Sequence, residues 1–183
     1  MTPPILTVPH EILRRKSLPI ERLTEDVHDK IDEIKDAMKK AHNPDGVGLS
    51  FPQIGYNLRG FVTYLEKSMK VYLNPEIVDM SEETTLGGTP DRPTLEGCLS
   101  IPWIYGPVPR AKKIKIKALD EHGKEFTKTL SSFPARLALH EYDHLEGILF
   151  TDYTLRQSLP LYFLDREHDQ FVEIQDPQSV VKW

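Results

Sequence analysis

Two histidines four residues apart, His140 and His144, constrain this chain more than any other feature. Glu141 and Asp143 stand between them and the apolar run Leu137-Ala138-Leu139 precedes them. On a helix, an i, i+4 spacing puts both imidazoles on one face, about one turn apart. The apolar run turns that part of the helix toward a core, where buried imidazoles need polar partners or a metal ion. The rest of the chain must therefore wrap this helix and bring a partner to the two rings. Glu141 is offset from their face. There it can sit beside an ion without ligating it and take a proton from an attacking water. The plainer alternative is a pair of surface histidines on an exposed helix, which the apolar run disfavours.

Two histidines do not complete a site, because a catalytic zinc-like centre takes three protein ligands and keeps one position open. Cys98 is the candidate third ligand. It is the chain's single cysteine and lies in Leu95-Glu96-Gly97-Cys98-Leu99-Ser100. A lone buried cysteine is usually an inert small hydrophobe. A nucleophilic thiolate needs one activating histidine rather than a glutamate between two. Beside the histidine pair, the ligand reading gains weight. One cysteine also rules out an internal disulfide and favours a reducing compartment. A further segment, Gly46-Val47-Gly48 running on to Gln53, reads as a turn that lets backbone approach closely. It is not the dinucleotide fingerprint, since the third glycine is missing and no strand precedes it.

A chain of 183 residues fits one domain with a real core. The net charge of −5 argues against a general nucleic-acid binder. The start, Met1-Thr2-Pro3-Pro4-Ile5-Leu6, lacks a basic stretch followed by a long apolar one, and no span long enough for a membrane occurs. The expectation is a cytoplasmic protein, with a processed organellar form left open. Residues 5–8 read as an edge strand or an extended lead-in. Apolar positions Val27, Ile31, Ile34, Ala37 and Met38 predict a helix over about 24–42, capped by Thr24 and stopped by Asn43-Pro44-Asp45-Gly46. Strands are expected at 60–65, 70–73, 112–119 and 125–130, with a long polar loop at 81–93. The alternation Lys113-Ile114-Lys115-Ile116-Lys117 describes a lysine-coated, half-buried antiparallel strand rather than an RNA-binding patch. The motif helix is expected from Ser132, as N-cap, to about residue 146, with Pro134 in its first turn and Gly147 ending it. Residues 161–164 and 171–174 fit either a hairpin or part of a helix. The fold class is α+β: antiparallel sheets packed around a central helix carrying the His-Glu-x-x-His motif, plus an N-terminal amphipathic helix. Residues 1–183 form one catalytic domain, with the tail from about 154 unassigned.

Gly46 to Gln53, Glu96 to Ser100 and Leu139 to His144 stand in the order and form of three motifs that resemble those of peptide deformylases. That family carries Gly-x-Gly-Leu-Ala-Ala-Pro-Gln, then Glu-Gly-Cys-Leu-Ser, then Gln-His-Glu-x-Asp-His. The likeness extends to Val108-Pro109-Arg110 and to Gly147-Ile148-Leu149-Phe150-Thr151-Asp152, and fades in the last 30 residues. It implies a metal-dependent hydrolase that removes the formyl group from formyl-methionyl nascent peptides and releases formate. Cys98, His140 and His144 would hold Fe2+, with Zn2+, Ni2+ or Co2+ as substitutes, and a thiolate–iron site would be oxygen-sensitive at Cys98. Glu141 would be general acid/base, while the Gln53 amide and the Leu99 backbone N–H would hold the oxyanion. Val47, Gly48, Gly97 and Arg136 would line the substrate, with Glu96 paired to Arg110 behind the site. Formylated nascent peptides are the implied partners and the ribosome a candidate one, with neither DNA nor a membrane.

Four positions depart from the family pattern. Ser50-Phe51 replaces Ala-Ala, and the large Phe51 threatens to narrow the cleft or re-aim Gln53. Leu139 replaces a glutamine, and Tyr105 stands near a substrate-proximal arginine of many bacterial members. Arg136, four before His140, falls where an apolar residue is usual. Two readings of it stay open: a side chain directed outward with its stem over apolar surface, or a reshaped pocket with altered side-chain preference. Two alternatives to a deformylase also stay open. One is a redirected hydrolase acting on another small N-acyl group; the other is a catalytically idle metal-binding module.

Overall fold

A computed structural model describes residues 2–41, 46–89 and 91–181. The helix-stop signal expected at 43–46 lies, except for Gly46, outside the described residues.

The lead-in forms no strand at 5–8 but runs extended. Leu6 N donates to Gln53 O (2.7 Å) and Val8 N to Ser100 O (2.9 Å), so the N-terminal segment ties together two loops of the site. Helix α1 (Glu25–Lys40) starts at Thr24, whose hydroxyl accepts from Val27 N at 3.4 Å. Glu25 and Asp26 sit in its first turn and Lys39 and Lys40 in its last, matching the helix dipole. Its stripe Val27, Ile31, Ile34, Ala37 and Met38 is buried against β1 (Gly48–Ser50) and β2 (Gly60–Leu65).

The strands continue with β3 (Ser68–Met80), β4 (Thr84–Thr85), β5 (Leu95–Cys98), β6 (Ile101–Pro107), β7 (Arg110–Ala111), β8 (Lys113–Leu119) and β9 (Glu125–Ser131). Strand β3 is far longer than the expected 70–73. Asn74-Pro75 breaks the sequence pattern, but the strand passes through it on a register shift between Leu73 and Glu76, as a bulge permits. Helix α2 (Ser132–Leu145) and helix α3 (Phe150–Arg156) precede a hairpin of β10 (Tyr162–Asp165) and β11 (Gln170–Glu173). Of the two readings of the tail, the structure has the hairpin.

The paired strands are antiparallel and make a five-stranded sheet β1-β2-β3-β8-β9, a four-stranded sheet β11-β10-β6-β5 and the small pair β4-β7. In β8, Ile114, Ile116 and Ala118 point inward while Lys113 and Lys115 face solvent. Those inward residues pack with Phe61, Tyr72 and Leu130 against Ala135, Ala138 and Leu145 of α2. The α+β class with antiparallel sheets therefore holds.

The start of α2 differs from expectation. Ser131, not Ser132, occupies the N-cap position and makes no side-chain cap bond, while Ser132 has φ 55. The sharp β9–α2 junction takes a left-handed residue instead of a capped turn. At the other end the chain leaves α2 through Gly147 at φ 71, with Gly147 N and Ile148 N donating to His144 O and Asp143 O. A Cβ on Gly147 would lie 2.5 Å from Arg14 O.

Candidate metal centre

Strand β5 and helix α2 bring Cys98, His140 and His144 together, with one donor atom from each within 4.8 Å of the others. Cys98 Sγ lies 3.2 Å from His144 Nε2. That is near the roughly 3.5 Å separating two ligands of one tetrahedral ion. His140 Nδ1 is engaged with Glu96 Oε2 at 3.0 Å, which leaves Nε2 facing the sulfur. The two rings stand 5.1 Å apart, steeply inclined, and His140 also stacks on Phe150.

Glu96 is the hub behind these groups. Its carboxylate accepts from Arg110 Nε (3.0 Å) and Nη2 (2.9 Å), from Arg136 Nη1 (2.6 Å), and partners His140. Arg110 Nη1 also donates to Asp143, whose other oxygen accepts from Tyr153 OH at 3.1 Å. Burial works to raise the Glu96 pKa, but the Arg110 guanidinium and His140 hold it well below the usual carboxylate range. Burial pushes against a charge on His140, yet its bonds to Cys98 and Glu96 hold it above the ordinary imidazole value. Burial drives His144 well below that value, with the His140 charge acting in the same direction. Burial thus favours the neutral form of the His144 imidazole, the form that binds a metal.

Gln53 is fixed by its neighbours. Its Oε1 accepts from Ser50 N (2.8 Å) and Ser50 Oγ (3.0 Å), so its Nε2 points at Ser100 Oγ (3.2 Å) and Cys98 Sγ (3.5 Å). The departure Ser50 therefore helps aim this amide. Phe51 does not narrow the cleft. It is 1 % exposed in the core under α1. Gly60 makes room for its ring, since a Cβ there would sit 2.9 Å from Phe51 Cε2.

Glu141 lies against β1, and burial pushes its carboxyl up to about 7. Its Oε2 is buried with no hydrogen-bond partner among the described residues. A Cβ on Gly48 would come 2.3 Å from Oε1, so only glycine lets the carboxylate rest there.

A cavity of about 210 Å³ opens onto these groups. Its lining includes Val47, Gly48, Gln53, Gly97, Cys98, Leu99, Arg136, His140 and Glu141, every expected site residue except His144. Leu95, Tyr105, Phe133 and Leu137 complete much of the wall. Sequence reasoning gave Phe133 no role, and no motif marks it. Leu137 was given no site role either, although its place three before His140 on the same helix face is a signal that could have found it.

Arg136 does not point outward. It is 5 % exposed, and besides Glu96 its guanidinium donates to Val108 O and Thr85 O, both at 2.7 Å. A carboxylate that the sequence could not place next to it draws it inward. The same contact pins part of the 81–93 loop, where Thr84 and Thr85 pair with Ala111 and Arg110.

The polypeptide deformylase family profile matches residues 2–158. The chain belongs to the peptide deformylase family. It is 42% identical to the peptide deformylase of Syntrophomonas wolfei subsp. wolfei over 148 residues, covering 81% of this chain and 90% of that one. It is 43% identical to peptide deformylase 1 of Clostridium perfringens over 148 residues, covering 79% and 92%. The crystal structure of a peptide deformylase from Legionella pneumophila superposes with a TM-score of 0.72 at 38% identity, covering 84% of this chain and 86% of that one. Deformylases are metal-dependent hydrolases, and Cys98, His140 and His144 form a possible metal-binding triad in this one.

Proposed function

We propose that this deformylase-family chain hydrolyses the formyl group of formyl-methionyl nascent peptides with Fe2+ held by Cys98, His140 and His144. The observation that carries the reading is the convergence of a thiol and two imidazoles at the wall of a cavity that Glu141 and Gln53 also face. The donor set fits a catalytic ion, with three protein ligands of the kind that suit iron or zinc. Zn2+, Ni2+ or Co2+ would substitute. When bound, the ion would supply Lewis-acid activation of water at neutral pH.

The protein's own groups do the rest. Glu141 accepts the proton of the water that adds to the formyl carbon and returns it to the amine as the C–N bond breaks. A carboxyl held near 7 by burial suits both transfers. The Gln53 amide, aimed by Ser50, donates to the oxyanion together with the Leu99 N–H, each donor worth roughly 3 kcal/mol. Val47, Gly48 and Gly97 flank the substrate backbone. Arg136 adds its stem to the apolar wall, while its guanidinium is taken up by Glu96, Val108 O and Thr85 O. That disfavours a preference for acidic side chains. Retention of Gln53 and Glu141 disfavours an idle module.

Residues 1–183 act as one catalytic domain in this reading, in the cytoplasm and with the ribosome as a candidate partner. Among the described residues no helix is long and apolar enough to cross a membrane.

Anaerobic, iron-loaded protein should release formate from formyl-Met peptides; no formate from fully loaded protein would overturn the proposal. Gly48→Ala should lower kcat/KM by about 10²-fold by displacing the Glu141 carboxylate. Steady-state kinetics check this, and wild-type rates in the variant would contradict the contact.

A further inference from the structure

Arg136 stands between two cavities. One is the catalytic cavity of about 210 Å³. The other, of about 360 Å³, lies between the loop after β4, strand β7 and the start of α2, where Thr85, Gly87, Ala111 and Ser132 line it. The two linings share Thr94, Phe133 and Arg136. Those side chains therefore form the wall between the two spaces.

The guanidinium spans that wall. Nη1 donates to Glu96, which lines the catalytic side, at 2.6 Å and to Val108 O at 2.7 Å. Nη2 donates to Thr85 O, on the far side, at 2.7 Å. Gly87 backs Nη2, where a Cβ would stand 3.4 Å away. Long cationic side chains on helices usually run out to solvent. This one is held from both cavities and is buried. Swinging it aside would leave its charge and two carbonyls without their bonds, which is costly in a buried setting. The wall therefore does not yield to an apolar group pressed against it. Both terminal nitrogens are already committed, so it does not draw in an acidic group either.

The position of the wall identifies what meets it. Arg136 lies four residues before His140 on α2, about 6 Å along the helix axis. A residue whose formyl group is at the metal centre reaches that far with its side chain. We propose that Arg136 is a specificity-determining residue that closes the side-chain pocket at the length of methionine. Longer unbranched side chains are rejected although space for them lies directly behind the guanidinium. The proposal rests on the deformylase reading and adds to it a length limit set by one ion-paired arginine.

The test compares formate release from formyl-Met-Ala-Ser with that from peptides carrying an unbranched hexyl or octyl side chain in place of methionine's. In wild type, kcat/KM for the longer pair should be about tenfold lower, as a pocket closed to extra methylenes imposes. Arg136→Met keeps the stem and removes the guanidinium, which joins the two cavities. The ratio of long to methionine substrate should then rise to near one, even if both rates fall. Thr94→Ala thins the same wall without touching the guanidinium's bonds, and should raise the ratio about threefold. It carries the test if Arg136→Met does not fold. Equal rates across the wild-type series, or an unchanged ratio in every variant that folds, would overturn the proposal while leaving deformylation intact. Formate from none of the peptides would instead sink the deformylase reading, and this inference with it.

Discussion

Replacing Glu141 by glutamine should lower kcat by about 10³-fold, since a positioned general acid/base contributes between 10² and 10⁴. Metal content should stay at the wild-type level, and thermal stability should not fall. The two outcomes separate because of where the carboxyl sits. It is fully enclosed, one oxygen rests against Gly48, and the other has no partner among the described residues. A neutral amide of the same shape fits that space without the cost of a buried charge. It cannot accept a proton from water. Kinetics alongside metal analysis and a melting curve decide it. A variant within tenfold of wild-type kcat would remove Glu141 from the proton path.

Replacing Arg110 by methionine should destabilise the fold by about 3–5 kcal/mol, the usual effect of removing one partner of a buried ion pair. At this chain length that is a fall in Tm of roughly 10 °C. Arg110 is 4% exposed and serves two carboxylates, Glu96 and Asp143, while its guanidinium lies over the Tyr153 ring at 4.9 Å. Glu96 keeps Arg136 and His140, so most of the loss falls on Asp143. Adding Asp143→Asn to the variant should therefore recover part of the stability, a coupling read from a double-mutant cycle. Urea unfolding measures both. A loss below about 1 kcal/mol, or full additivity of the two changes, would show that the pair is not what holds β7 to α2.

The hub around Glu96 also shows where sequence reasoning stops. The Glu96–Arg110 pair was legible from the resemblance. Arg136 was not, because nothing local says that its guanidinium joins the same carboxylate; a long side chain on a helix reads equally well as solvent-facing. Phe51 misled for a similar reason. Its direction depends on Gly60, a neighbour across a strand pair that the sequence does not reveal. The candidate triad was legible because chemistry restricts it: two histidines one turn apart and a single cysteine leave few alternatives, and the structure brings the three together. Helix α1 was legible from its apolar stripe, and β8 from its strict alternation. The β10–β11 hairpin was legible only as one of two readings, since all of β11 is exposed and no period of two emerges when neither face is buried. Ser132 was misplaced because a positive φ, rather than a side-chain cap, starts α2.

The claim on which the account turns is that one sulfur and two imidazoles share one ion. Protein loaded anaerobically with Co2+ tests it directly, by titration followed in the ultraviolet and visible. The account predicts one ion per chain and a thiolate-to-cobalt charge-transfer band that is absent in Cys98→Ala. Stoichiometric cobalt with no such band in the wild type, or the same band in the variant, would contradict it.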